Sequence, residues 1–240
     1  MKIIVSKDAK ELGKNAADFV AEKINAAIAD HGSCRIVLST GASQLTTIEE
    51  LITRDVDWTK VEMFHLDEYV DLPETHVASF RKYLKERFIS KVPLKAAHLV
   101  DGTPECIGSL TEELRSAPVD VGLIGIGENA HIAFNDPPAD FDTNEAYRLV
   151  ALDEKCRMQQ VGEGWFATED DVPKQAFSMS IKQIMWSKAI VCTCPDARKA
   201  EAVKNCLEGK VSNMVPGTIL QMHPDCGMFL DPGSAALLGR

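Results

Sequence analysis

The chain is predicted to be α/β, with a largely parallel sheet covered by helices on both faces. Two observations carry this. Short apolar runs such as Arg35–Ser39 and Val119–Ile126 lack the alternation of a half-solvated strand, as strands buried on both faces do. Between such runs lie longer stretches whose apolar residues recur at helical spacing, and strands separated by helices form parallel crossovers. Apolar residues make up 45% of the 240, enough for a substantial core. No repeat, low-complexity tract or linker rich in Pro, Gly or Ser interrupts the pattern, so one domain over 1–240 is expected.

In chain order, Lys2–Val5 reads as a strand. Ser6 reads as the cap of a helix whose apolar positions are Leu12, Ala16, Phe19, Val20, Ile24, Ala27 and Ile28. Arg35–Ser39 is a buried strand, 43–54 a helix, Val61–Leu66 a strand and 77–88 a helix. A short strand near His98–Val100 leads to a helix near 104–116, then to the strand Val119–Ile126. Strands follow near Tyr147–Leu152 and at Ala189–Thr193, then a helix from Asp196 to about Leu207 and a last strand near Gly227–Leu230. The segment Cys156–Asp171 fits neither period. It sets Gly162 and Gly164 beside Trp165 and Phe166, and reads either as a lid with an apolar face or as a surface connection.

Composition excludes several classes. The formal net charge is -10, and no Lys/Arg cluster is long enough for a nucleic-acid footprint. No run approaches the roughly 20 apolar residues of a membrane span. The start, MKIIVSKD, is too short in apolar residues for a signal-peptide core, so a soluble cytoplasmic protein is expected. The seven cysteines form no C-x-x-C pair. Cys192 and Cys194 alternate within an apolar run and read as small buried hydrophobes on one side of a strand rather than zinc ligands.

Three stretches could carry chemistry. Ser39-Thr40-Gly41-Ala42-Ser43 joins a strand to a helix, and a tight turn with free N–H groups there can cradle a phosphate, although Ser and Thr are also plain N-caps. It lacks the Gly-Lys-Ser/Thr ending of a P-loop. His65-Leu66-Asp67-Glu68-Tyr69 lies at the carboxyl end of a strand, where open α/β sheets bind ligands. If Asp67 faces the crevice as a general base, Glu68 faces elsewhere; a cap or a solvated pair is the other reading. The third stretch is GIGENAHIAFNDPP, residues 125–138. Gly125 and Gly127 permit close backbone approach and positive φ, and His131 could act as acid/base with Asn129 and Asp136 orienting its ring. A structural histidine is the alternative.

Together these stretches resemble the glucosamine-6-phosphate deaminase (isomerase) family, related in fold to 6-phosphogluconolactonases. The matching pieces are STGAS, HLDEYVDLP, GIGENAHIAFNDPP, VPKQAFSMSI, DARKAEAV and GTILQMHPD, in the family's order from about Arg35 to Asp231. LDEYV and HIAFNDP favour the deaminase branch over the lactonases. The resemblance implies a Rossmann-like fold and a metal-free, cofactor-free conversion of an amino-sugar 6-phosphate to a ketose 6-phosphate and ammonia. It implies Asp67 as the base that moves a proton from C2 to C1, His131 as the promoter of ring opening and Asp136 as its supporting acid. It places the phosphate on Thr40, Gly41, Ala42, Ser43 and Lys199.

There are departures. Asn129 stands where the family usually has aspartate, with Glu128 one position out of register, and Asp136 stands where the acid is usually Glu. The family's phosphate-binding lid arginine has no clean counterpart; Arg157 is the nearest, with Gln159 and Gln160 as further candidate contacts. Ala139 and Asp140 replace the serines of allosterically controlled members, so that regulation is not expected. The partner implied is a small sugar phosphate, with no nucleic acid or membrane, and a homo-oligomer is left open. A non-catalytic sugar-phosphate sensor and a lactonase are the alternative functions.

Overall fold

A computed structural model of the chain describes residues 1–239. Its main sheet has seven strands: β1 (Lys2–Val5), β2 (Cys34–Leu38), β3 (Val61–His65), β5 (Ala96–His98), β6 (Val121–Ile124), β9 (Ala189–Cys194) and β10 (Cys226–Leu230). They run in the order β1-β10-β9-β6-β2-β3-β5, and every neighbouring pair is parallel. After β2 the chain moves outward to β3 and β5, then returns to the other side of β2 as β6. This reversal opens a crevice at the carboxyl ends of β2 and β6.

Period-two alternation assigns the core. Ile36, Leu38, Met63, Leu123, Val191 and Phe229 face a cluster with α1 (Ala9–His31) and α2 (Leu45–Leu51). Val37, Phe64, Ile124, Ile190, Cys192 and Met228 face the opposite one with α4 (Pro104–Arg115) and α7 (Ala200–Glu208). Cys192 and Cys194 lie on that second face with Sγ atoms 3.6 Å apart, both buried as small apolar side chains.

The helix after β1 is capped by Asp8, not Ser6. Asp8 Oδ1 accepts the Glu11 N–H at 2.7 Å, while Ser6 Oγ accepts from Asn15 Nδ2 at 3.0 Å. The helix expected at 77–88 is α3 (Phe80–Leu84) continued by a π-helical turn, Lys85–Ile89. Three elements were not expected from periodicity: β4 (Asp67–Tyr69), β8 (Gln175–Met179) and α6 (Ile181–Met185). With β7 (Tyr147–Ala151), β4 and β8 form a small antiparallel sheet in the order β4-β8-β7. Residues Glu154–Gly162 form helix α5, inside the segment with no clear period. Cys156 and Phe166 of that segment are buried with Tyr69, Phe134 and Leu152 in a third apolar cluster.

Candidate active site

The chain folds so that five strand ends of the main sheet converge on one cavity of about 400 Å³. Residues 39–43 follow β2, Leu66 and Asp67 follow β3, Gly125 to Gly127 follow β6, Pro195 to Lys199 follow β9 and Asp231 follows β10.

The turn after β2 is built for close backbone approach. Gly41 has φ +90 with open space where a Cβ would sit, so its requirement is conformational. Its carbonyl accepts from Tyr83 Oη at 3.2 Å. Thr193 Oγ1 donates to the Ser43 carbonyl at 2.9 Å, and Gln44 Nε2 donates to Ile124 O and to Thr193 Oγ1. The turn is therefore locked onto the ends of β6 and β9. Thr40, Gly41, Ala42 and Ser43 all line the cavity, as do Ser39 and Thr46, whose buried hydroxyls have no partner among the described residues. Gly125 serves a close approach rather than a positive φ: a Cβ there would lie 2.7 Å from Ser43 Oγ.

Asp67 is only 5% exposed, and that exposure is into the cavity. Burial, and next the nearby Glu68 carboxylate, push its pKa up to about 8. Glu68 points the other way, as alternation along β4 requires. It is fully buried and accepts from the N–H groups of Tyr69, Phe80 and Arg81, from Ser79 Oγ and from Arg81 Nε. The two adjacent acids thus have separate work: Glu68 anchors the start of α3, and Asp67 stands free of hydrogen bonds from the described residues.

His131 lies flat over Gly127. A Cβ on Gly127 would lie 2.2 Å from Cε1 and 2.3 Å from Nε2, so only glycine admits the ring; its φ is not positive. His131 Nδ1 is 3.0 Å from Asp136 Oδ1, an ion-pair distance with a poor hydrogen-bond angle. Burial acts to raise the Asp136 pKa. The close contact with His131 and the hydrogen bonds from the Asn129 amide and the Asp153 N–H outweigh it, leaving Asp136 below the ordinary carboxylate range. Asn129 makes no hydrogen bond to the ring. Its Oδ1 accepts the backbone N–H of His131 at 3.1 Å, closing the turn, and its Nδ2 donates to Asp136 at 3.0 Å and to Asp153 at 3.2 Å. Ala130 and Ala133, rather than the glycines, take the left-handed conformation, with φ 67 and 51. The loop is held by Asn135 Nδ2, which donates to Ile132 O and Met179 O, and by Phe134 N–H on Ser178 Oγ.

Of the cations expected at the phosphate, Lys199 lines the cavity and is 6% exposed. Arg157 does not line it; its guanidinium is paired with Glu169. Among the described residues the other Lys or Arg lining the cavity is Arg198, which the sequence pattern did not single out. It reaches Asp196 at 3.2 Å and Glu128 at 3.6 Å. Its signal was its place beside Lys199 just beyond the end of β9. The turn holding both is strained at Asp196, φ 85, and is fixed by the Asp196 N–H on Asp231 Oδ2 at 2.9 Å. Gln159 and Gln160 of α5, with Glu163 just after it, form another wall. Two groups offer cation-ligand atoms within 4.8 Å of one another: His131, Asp136 and Cys156 here, and Glu62, His98 and Glu113 elsewhere. In both a carboxylate is already engaged, Asp136 by His131 and Asn129, Glu62 by Arg35 and Lys95.

A cation-lined turn, a desolvated carboxylate and a buried histidine at the switch point of a parallel sheet define the class: an α/β enzyme with a site for a small anionic substrate. The family model described as glucosamine-6-phosphate isomerases/6-phosphogluconolactonase matches residues 7–227, and the chain belongs to that family. The glucosamine-6-phosphate deaminase of Lactobacillus delbrueckii subsp. bulgaricus is 36% identical over 242 residues, covering 99% of this chain and 100% of the relative. That of Clostridium acetobutylicum is 34% identical over 249 residues, covering 99% and 100%. Among solved structures, a monomeric glucosamine-6-phosphate deaminase, described as a missing link of the NagB superfamily, superposes with a TM-score of 0.89 at 28% identity, covering 99% of this chain and 100% of that one. A 6-phosphogluconolactonase from Thermotoga maritima superposes at 0.78 with 16% identity, covering 96% and 99%, and shares the fold. No helix among the described residues is long and apolar enough to cross a membrane.

Proposed function

We propose that this enzyme converts glucosamine 6-phosphate, or a close epimer, and water to fructose 6-phosphate and ammonia. The observation that supports this best is the unpaired Asp67 carboxylate, raised to about 8, in one cavity with His131 and the Lys199 turn. The phosphate sits on the N–H groups of residues 40–43, with Lys199 and Arg198 as its cations. His131 takes the O1 proton and delivers it to the ring oxygen, opening the ring to the aldehyde. The C2–H is acidic only then. Asp67 removes it and returns the proton at C1, leaving an imine at C2; water adds there and ammonia departs. A carboxylate of ordinary pKa is a feeble base for a carbon acid, and raising it toward the working pH strengthens it. The substrate's ammonium beside Asp67 favours the ionised form that the step requires. On this reading residues 156–171 act as a lid over the sugar, presenting Gln159, Gln160 and Glu163.

The test is incubation of purified protein with glucosamine 6-phosphate, galactosamine 6-phosphate and 6-phosphogluconolactone, measuring ammonia, ketose phosphate and lactone hydrolysis. Ammonia with ketose phosphate from a hexosamine phosphate is the expected result. Binding without turnover, or lactone hydrolysis alone, overturns it. The phosphate placement has its own check by calorimetry with a phosphorylated inhibitor. Lys199→Ala should weaken binding by about 1.5–3 kcal/mol, roughly ten- to a hundredfold. Arg198→Gln should cost less, because that guanidinium is half in water and shared with two acids, and Arg157→Ala should leave affinity unchanged.

A further inference from the structure

We propose that Asp153 is a positioning residue for His131, supplying from the N-cap of α5 the carboxylate that a loop carrying Asn129 lacks. The inference rests on the reading of His131 given above. Asn129 Nδ2 has two protons, and a carboxylate stands at each: Asp136 Oδ1 at 3.0 Å and Asp153 Oδ2 at 3.2 Å. Asp153 Oδ1 accepts the Cys156 N–H at 2.6 Å, capping α5. The Asp153 N–H donates to Asp136 Oδ2 at 3.2 Å, and the Glu128 N–H donates to Gln159 Oε1 at 3.0 Å. In this arrangement both amide protons of Asn129 meet a carboxylate. An acid at 129 would set its carboxylate within hydrogen-bonding distance of two others. A neutral cap at 153 would leave one amide proton unmatched. The pair therefore keeps two negative charges on the far side of His131 from the cavity while an amide holds them together. It also ties α5, whose Gln159 and Gln160 line the cavity, to the loop that carries His131.

The charged and titratable groups around His131 are Asp136 on its own loop, Asp153 and Cys156 at the start of α5, Glu163 just after α5, Asp67 from β4, Asp196, Arg198 and Lys199 from the turn after β9, and Asp231 after β10. Asp153 reaches it through Asn129, which also holds Asp136. The experiment follows ammonia release against pH, and the His131 ring resonances against pH, in four proteins: wild type, Asp153→Ser, Asn129→Asp and the exchanged pair Asn129→Asp/Asp153→Asn. Serine keeps the N-cap bond but cannot reach the amide, so a purely capping role leaves both readouts where they were.

Asp153→Ser should lower kcat by roughly tenfold with KM nearly unchanged, and should move the His131 titration to lower pH because a nearby carboxylate is lost. Asn129→Asp should move that titration upward and also lower kcat. The exchanged pair should recover about tenfold over the product of the two single effects. A wild-type kcat with an unmoved His131 titration in Asp153→Ser overturns the proposal, as does an exchanged pair no better than that product. Failure of the functional reading is distinct: wild type then releases no ammonia from either hexosamine phosphate, while the His131 titration still responds to Asp153→Ser.

Discussion

Asp67→Asn should lower kcat for ammonia release by about 10²–10⁴-fold while affinity for a phosphorylated inhibitor stays within about twofold. The amide keeps the volume and shape of a side chain that accepts no hydrogen bond from the described residues, so no native partner is lost. Only the capacity to take the C2 proton goes. Turnover near wild type would remove Asp67 from the mechanism. The same residue sets a pH dependence. The base works ionised, so kcat/KM of the wild type should fall as pH drops below about 8. Stability runs the other way. Between the ordinary carboxylate value of 3.8 and about 8, the folded state holds a proton that the unfolded chain releases, so this group's contribution falls as pH rises across that window. Asp67→Asn should flatten that slope and stabilise the fold at alkaline pH, by on the order of a few kcal/mol, in denaturant titrations at several pH values.

Gly127→Ala should lower kcat by about 10²-fold or more, since a misplacement of roughly 1 Å at a reacting group costs that much. The added Cβ would meet Cε1, Nε2 and Nδ1 of His131 at 2.2, 2.3 and 2.5 Å, well inside van der Waals contact, so the ring must leave its place over the backbone. The phosphate turn is untouched, and inhibitor affinity should persist. A natural control is Gly108→Ala in α4, where an added Cβ has open space. That change should leave kcat alone and stabilise the helix by about 0.5–1 kcal/mol in thermal melts. Loss of activity in both variants would mean a global response to substitution rather than a displaced imidazole.

Much of the site was legible because strand ends announce themselves in sequence. An apolar run followed by Gly, Ser or an acid marks a carboxyl end, and open α/β sheets gather ligands there. That logic brought Ser39–Ser43, Asp67 and His131 forward from separate stretches, and the structure places them around one cavity. Alternation also separated Asp67 from Glu68 correctly. It failed where an element is too short to show a period: β4 and β8 have three and five residues and pair only with partners distant in sequence.

The sequence by itself determined the alternation of buried strands and helices, the faces each strand presents and the chemistry of its loops, because these depend on local periodicity and on backbone freedom at positions such as Gly41. The tertiary structure alone decided which strand ends meet. It set β6 beside β2, turned Arg157 outward to Glu169 and brought Arg198 inward beside Lys199. It also gave the Asn129 amide its second acceptor, since Asp153 is 24 residues further along the chain and reaches Asn129 only when α5 docks on the histidine loop. The physical reason is the same in each case: a hydrogen bond between distant residues leaves no periodic trace in either segment.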